Sequence, residues 1–423
     1  MPATEDLLYN GTMFSDARNS IKRKTFLHGL LAFSLLAACG VPEKEENSAM
    51  NNSEEVRLMV ATDLHHLSKT LYDEESEIFA RLMASNDGKL SEESGAIVQA
   101  LKEKAIEEKP DVLLLAGDLT FNGELVSLNE LADVFAEIEE AGIPVLVISG
   151  NHDINYSGAA SYFGSEAQPV SRISPEEFAA VMGPYGFEEA LYRDPSSLSY
   201  VSEIREDLWL LVLDANVPSE PGSITSRTLA WAEPLLKKAQ EEGVRVIVMS
   251  HQNVMIQSTM MYNGYVIHNH DPLEHMLRTY GVTLALSGHS HLEHRSQSGG
   301  LTDICSESLA LYPLQYGMIT LAADRKSFAY EKKKLGILEQ EAYDRFRETV
   351  LRMVRKPIED ATDDPSEQAC MEEFAVAMNS AYFSGDYEKV RGLADEPGRK
   401  LWQEKAGDTF WGYYLENIIG EAG

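Results

Sequence analysis

Five short apolar runs, each followed at once by carboxylate, imidazole or amide side chains, constrain this chain more than any other feature of its 423 residues. The runs are Val56 to Thr62, Val112 to Ala116, Val145 to Ser149, Val244 to Ser250 and Val282 to Ser287. In order they lead into Asp63-Leu64-His65, Gly117-Asp118, Gly150-Asn151-His152-Asp153, His251 and Gly288-His289-Ser290-His291. Longer segments of helical apolar spacing lie between them: Ser91 to Glu107, Leu125 to Ala141, and Thr228 to Glu242 before Gly243. Short apolar runs alternating with helices predict an α/β fold with helices on the faces of a sheet. Ligands of such sheets bind at the carboxyl ends of the strands, so the five runs would deliver their polar followers to one place.

Charge narrows the ligand. Acidic residues outnumber basic ones 68 to 36, a formal net charge of -32, while 44% apolar content provides for a sizeable core. So negative a surface repels nucleic-acid polymers, and any anionic substrate needs a local positive centre such as a metal.

The amino terminus reads as an address. Arg18, Lys22, Arg23 and Lys24 precede an apolar stretch from Gly29 to Ala38, too short for the roughly 20 residues of a membrane-spanning helix. Leu36-Ala37-Ala38-Cys39 resembles the lipobox of bacterial lipoproteins, which implies a signal peptide over residues 1–39, lipidation of Cys39 and an extracytoplasmic, membrane-anchored protein. An ordinary secretory signal is the other reading, and translation starts at Met1 or Met13. Residues 1–39 carry four basic and three acidic residues, so their removal leaves 32 against 65, a net charge of -33. The polar segment 40–55 reads as a flexible tether.

In chain order, Asp63-x-His65, Gly117-Asp118, Gly150-Asn151-His152-Asp153, His251 and Gly288-His289-x-His291 resemble the signature of the calcineurin-like metallophosphoesterases. Within that superfamily the chain is most similar to bacterial class III cyclic-nucleotide phosphodiesterases, including exported forms with a helical C-terminal domain. The resemblance implies a four-layer αββα sandwich over residues 56–336 and a small helical domain over 337–423. It implies two transition-metal ions, and oxygen and imidazole donors without thiolate suit Mn, Fe or Zn. It assigns Asp63, His65 and His291 with Asp118 to one ion, and Asn151, His251 and His289 to the other, with Asp118 as the shared carboxylate. His152 matches the family's general acid, protonating the alkoxide that leaves as a metal-activated hydroxide attacks phosphorus. Asp153 is either a supporting partner of this turn or a cap. The implied activity is phosphodiester hydrolysis of cyclic nucleotides or similar small diesters. A phosphomonoesterase of the same ligand set and a non-catalytic surface binding lipoprotein are the alternatives.

Other signals are weaker. His66 follows a ligand and fits a substrate contact or plain packing equally. His268 and His270 read mainly as loop residues, His275 as helix surface and His294 as loop. Asp271-Pro272-Leu273-Glu274 resembles a capped helix start. Cys305 and Cys370 are open as to pairing, and Tyr156 to Ser199 is open as a lid. Lys332-Lys333-Lys334 reads as a solvated strand end. From about residue 337, two or three helices are expected, with Pro357 and Pro365 between them and Trp402, Phe410, Trp411, Tyr413 and Tyr414 on the last. They read as a cap buried on the sheet domain, with a contribution to the cleft rim as a further expectation.

Overall fold

A computed structural model of the chain describes residues 54–422; the signal segment, Cys39 and most of the tether lie outside them. The described chain runs through β1 (Val56–Ala61), α1 (Glu77–Ser85), α2 (Ser94–Glu108), β2 (Val112–Leu115), α3 (Leu125–Glu140) and β3 (Val145–Val147). A small hairpin, β4 (Ala160–Ser161) with β5 (Gln168–Pro169), and α4 (Pro175–Val181) lead to β6 (Tyr192–Arg193), β7 (Tyr200–Arg205) and β8 (Leu208–Leu213). Then come α5 (Ser226–Glu242), β9 (Arg245–Ser250), α6 (His270–Thr279), β10 (Leu284–Ser287), β11 (His294–Ser298), β12 (Leu301–Cys305), β13 (Gln315–Leu321) and β14 (Phe328–Lys334). Five helices close the chain: α7 (Glu339–Ala361), α8 (Pro365–Phe383), α9 (Tyr387–Leu393), α10 (Pro397–Ala406) and α11 (Phe410–Glu421).

The strands form two sheets, β14-β13-β1-β2-β3 and β11-β12-β10-β9-β8-β7-β6. In the first, β1, β2 and β3 run parallel; in the second, β8, β9, β10 and β12 do. Strand β8 shows how the sheets stack. Leu208, Leu210 and Val212 join the core shared by both sheets, whereas Trp209, Leu211 and Leu213 join a second core under α5 and α6. Buried on both faces, the strand reads as a continuous apolar run, and a one-residue slip would exchange its two sets of partners. On the far side, Ile97 and Leu101 of α2 and Leu128, Leu131 and Phe135 of α3 cover the first sheet. The result is the αββα sandwich, at about 1.5–3 kcal/mol per fully buried large aliphatic side chain.

Local chemistry sets the element ends. Thr225 caps α5 by accepting from Thr228 N, and Gly243 ends it in the left-handed region at φ 75°. The expected cap of α6 differs. The helix starts at His270, because the side chain of Asn269 is taken up by both backbone groups of Ile224, and Glu274 pairs with His270 and Arg278 instead of capping. His294 stands on β11, not in a loop. The segment from Tyr156 to Ser199 is largely built into the sandwich, with Phe178, Met182, Tyr185 and Phe187 in its core.

The C-terminal helices outnumber the expected two or three. Pro357 lies within α7, where buried Val354 and Ile358 on either side carry the helix on to Ala361. Trp402 belongs to α10 and not, with the other aromatics, to α11. These helices have their own core, in which Trp402 Nε1 donates to Met371 O and Tyr414 Oη to Asn379 Oδ1. Met261 and Leu292 of the sheet region enter the same core. The three lysines at the end of β14 are paired: Lys332 donates to Ser384 O and Gly385 O, Lys333 to Glu108 and Lys334 to Glu339. Cys305 is buried and Cys370 half-buried, and both are free thiols. Among the described residues no helix is long and apolar enough to cross a membrane.

Candidate metal centre

The parallel strands of both sheets end at one edge, and their exits interlock. Asp63 N donates to Gly117 O, Gly288 N to His251 O, and Leu309 N to Thr62 O. Two glycines make the approach close enough. A Cβ at Gly150 would lie 2.1 Å from Asp118 Oδ1, and one at Gly288 would lie 2.1 Å from Thr62 Oγ1 and 2.6 Å from Asp63 Oδ2. The ligand residues are themselves strained. Asp63, His65, Asp118, His289 and His291 all have φ between 42° and 67°, half of the ten non-glycine residues with positive φ among those described. Such conformations persist only where surrounding structure enforces them, and they gather at functional sites.

Two groups of donor atoms converge here, Asp63 with His65 and His291, and Asp118 with His251 and His289. In the first, the Nε2 atoms of His65 and His291 are 3.3 Å apart, and Asp63 Oδ1 is 3.7 Å from one and 3.2 Å from the other. In the second, His251 Nε2 lies 3.3 Å from Asp118 Oδ2 and 3.1 Å from Asn151 Oδ1. Asp118 Oδ2 is also 3.8 Å from His65 Nε2, so one carboxylate oxygen stands between the groups. Every residue named as a ligand from the sequence is thus brought to this edge.

Each carboxylate divides its work. Asp63 Oδ2 accepts from Thr62 Oγ1 (2.7 Å) and His289 N (3.0 Å), which leaves Oδ1 toward the imidazoles. Asp118 Oδ1 accepts from His152 N (2.8 Å), which leaves Oδ2 between the two groups. Backbone carbonyls set two of the rings. His251 Nδ1 donates to Ala116 O and His289 Nε2 to Gly264 O, freeing the opposite nitrogen of each as a ligand.

The set fits a pair of metal ions. Ligands 2.0–2.2 Å from a common ion stand about 2.9–3.6 Å from one another, close to the spacings found. Asp63, His65 and His251 are fully buried and Asp118 nearly so, and two carboxylates in so dry a place need positive charge beside them. Burial would push the Asp63 and Asp118 carboxyls up. The neighbouring histidines overcome it, His291 and His251 chiefly holding Asp63 down and His251 and His152 holding Asp118 well below the usual range. Burial likewise works to lower His251, but Asp118 lifts it to about 9.

His152 lies beside the donor set. Its Nδ1 is 3.0 Å from both Phe121 O and Asn122 Oδ1, two acceptors that fix the proton on Nδ1. Nε2 is then the atom that holds or gives up the exchangeable proton. The ring stands edge-on to His65 at 5.0 Å and is stacked by Tyr156 at 4.8 Å. Burial is the main cause of its lowered pKa. Asp153 proves to be a brace, not a helix cap: its carboxylate accepts from Gly150 N, Leu119 N, Thr120 N and Thr120 Oγ1, tying two strand exits together. Its pKa rises to about 6 because it is buried and close to Asp118.

The remaining candidates separate cleanly. His66 is a packing residue, bonded to Glu130 at 2.8 Å and Ser94 at 3.3 Å. His268 and His270 lie at the start of α6, bonded to the Ser223 and Glu274 side chains. Sequence reasoning passed over Asp87, Lys89 and Tyr265. Lys89 and Asp87 form a 2.9 Å pair, Lys89 acts electrostatically on His65 and His152, and the Tyr265 ring lies 5.6 Å from His289. Asn86-Asp87-Gly88 marks a turn, but no spacing rule carries that turn to this edge.

A model of the calcineurin-like phosphoesterase family matches residues 56–293, which contain every candidate ligand. A curated relative from Moraxella catarrhalis, named a "probable cyclic nucleotide phosphodiesterase", is 25% identical over 187 residues, 44% of this chain and 60% of that one. One of the same description from Synechococcus is 27% identical over 211 residues, 49% of this chain and 67% of that one. The match thus spans less than two thirds of the Moraxella relative. A solved dimetal phosphatase from Danio rerio is 13% identical, covers 66% of this chain and 96% of its own, and has a TM-score of 0.47. With the family model covering more than half of the residues, this chain belongs to the calcineurin-like phosphoesterases, hydrolases of phosphoric esters.

Proposed function

We propose that the protein is a dimetal phosphodiesterase of small diesters such as cyclic nucleotides, exported and held at a bacterial membrane through a lipid on Cys39. One observation carries the catalytic part: Asp118 Oδ2 stands between two converging donor groups, 3.8 Å from His65 Nε2 and 3.3 Å from His251 Nε2. The diester preference is supported by the names of the two curated relatives. The export reading is supported by the basic cluster, apolar stretch and small-residue exit at Cys39.

Two ions of Mn, Fe or Zn, when bound, supply the positive charge and the acidified water that hydrolysis requires. Asp63, His65, His291 and Asp118 would hold one; Asp118, Asn151, His251 and His289 the other. Asn151 donates oxygen without charge, so the centre stays attractive to a phosphoester within an acidic protein. His152 Nε2 gives its proton to the departing alkoxide while Phe121 O and Asn122 Oδ1 keep Nδ1–H in place. The decisive experiment reconstitutes the protein with Mn, counts bound ions, and compares bis(4-nitrophenyl) phosphate with 4-nitrophenyl phosphate. Two ions per chain and faster turnover of the bis-ester are expected. Faster turnover of the mono-ester replaces the diesterase with a monoesterase, and turnover of neither defeats the enzyme reading.

A further inference from the structure

The segment from Tyr156 to Ser199 reaches the candidate centre at its first residue. The Tyr156 ring lies over the His152 ring, with centroids 4.8 Å apart and planes 26° apart. His65 stands perpendicular to the same imidazole at 5.0 Å, which puts the stacked pair beside a candidate ligand. Two contacts already hold one edge of His152, since Nδ1 is 3.0 Å from both Phe121 O and Asn122 Oδ1. They fix Nδ1 but not the ring plane, because the ring can still swing about the line from Cβ to Nδ1 and carry Nε2 with it. A ring stacked on one face closes that swing on the side it covers.

The chain around Tyr156 is shaped to present this ring. Asn155 takes φ 51°, and its N–H donates at 2.8 Å to the carbonyl of buried Ile173, which ties the turn to the sandwich. Gly158 backs the ring: a Cβ there would lie 2.7 Å from Tyr156 Cε1, 3.1 Å from Cδ1 and 3.7 Å from Asn122 Cγ. Tyr156, Gly158 and Asn122 therefore pack as one group, and Asn122 is also an acceptor for His152 Nδ1. Asn122 is fixed in turn, its N–H donating to buried Glu124 at 2.9 Å.

We propose that Tyr156 is a positioning residue for proton transfer: its ring, stacked on His152 and backed by Gly158, holds the imidazole in the plane from which Nε2 reaches the leaving alkoxide. The inference rests on the phosphodiesterase reading above and adds what orients its proton donor. In that step the Nε2–H bond breaks as an O–H bond forms on the departing oxygen, and His152 is left neutral. Such a donor must come within about 2.6–3.2 Å of the oxygen, and a misplacement of about 1 Å costs about 10²-fold in rate. A leaving group that departs without a proton does not feel the misplacement, so the effect of Tyr156 is selective for alkoxides.

The test measures the full Mn-loaded protein on cyclic AMP, which loses an alkoxide, beside bis(4-nitrophenyl) phosphate, which loses a nitrophenolate. Tyr156→Ala is expected to lower kcat on cyclic AMP about 10- to 100-fold, with KM and turnover of the bis-ester each within about threefold and both ions retained. Tyr156→Phe keeps the ring and should stay within about threefold of the parent on both substrates. In a His152→Ala background, Tyr156→Ala should cost less than about threefold more, since the group it positions is gone. Should Tyr156→Ala fold poorly, Tyr156→Leu keeps apolar bulk without a flat ring and carries the same expectation. A loss on cyclic AMP below about threefold overturns the proposal. So does an equal loss on both substrates, a Tyr156→Phe variant as slow as Tyr156→Ala, or a full further loss in the His152→Ala background. If the parent leaves cyclic AMP intact, the cyclic-nucleotide reading falls, and carbon relaxation of the His152 ring by nuclear magnetic resonance decides the case for Tyr156. Greater ring motion in Tyr156→Ala is expected, and unchanged motion overturns the proposal.

Discussion

The two sides of this site are made in different ways. At the strand exits every donor sits within four residues of a buried strand, and a glycine or a strained backbone sets its direction. Two loops away from the exits, Asn86 to Leu90 and the Ser258 to Tyr265 segment that walls the centre at His289, hold their places through distant helices. Arg345 and Arg352 of α7 fasten the first, and Glu421 of α11 fastens the second. The exits therefore carry chemistry that tolerates little displacement. The wall can vary with the helices behind it, which is where substrate preference can change without disturbing the reacting centre.

The largest effect should come from disturbing an exit. Gly150→Ala places a Cβ 2.1 Å from Asp118 Oδ1 and 2.3 Å from Asp118 N, so the carboxylate shared by both donor groups has to move. Turnover of the bis-ester should fall at least about 10³-fold, with loss of bound metal measured by elemental analysis. Full metal content at full activity would falsify the claim that close approach enforces the exit. Next in size is His152→Ala, expected to cost about 10²–10⁴-fold in kcat on an ester with an alkyl leaving group. Both ions should stay, because the contact to Asp118 is made by the His152 backbone N–H. The defect should shrink for nitrophenyl esters, whose leaving group needs no proton. An equal defect on both substrates removes the general-acid role.

The same contrast explains what the sequence disclosed. Asp63, His65, Asp118, Asn151, His251, His289 and His291 were legible because an apolar run, a turn and a ligand occur together within a few residues, five times in order. The α/β alternation was legible for the same reason. Strand β8 was missed although its six residues are all apolar, since it follows the antiparallel β7 without a helix or a ligand to mark it. Lys89 and Tyr265 were missed because their location depends on α7 and α11, more than 150 residues away along the chain. Pro357 misled for a related reason: tertiary burial of Val354 and Ile358 outweighs a local helix breaker.

The smallest effect should come from the wall itself, at Glu421. Its Oε1 accepts from Thr259 N at 2.7 Å, Thr259 Oγ1 at 2.6 Å and Ser258 Oγ at 3.3 Å, and Oε2 takes the Tyr382 hydroxyl. The loop so held carries Gly264, whose carbonyl sets the His289 ring, and Tyr265 beside that ring. Glu421→Ala leaves every candidate ligand in place. Loosening the loop should raise KM by about 3- to 10-fold while kcat changes by less than about threefold, with faster amide hydrogen exchange confined to the segment around Ser258 to Tyr265. If metal is lost instead, the carbonyl of Gly264 governs His289 as a ligand, and the wall is part of the centre. If neither KM nor exchange moves, α11 only covers its own core, and the division between a rigid exit and a wall held from a distance has to be withdrawn for this loop.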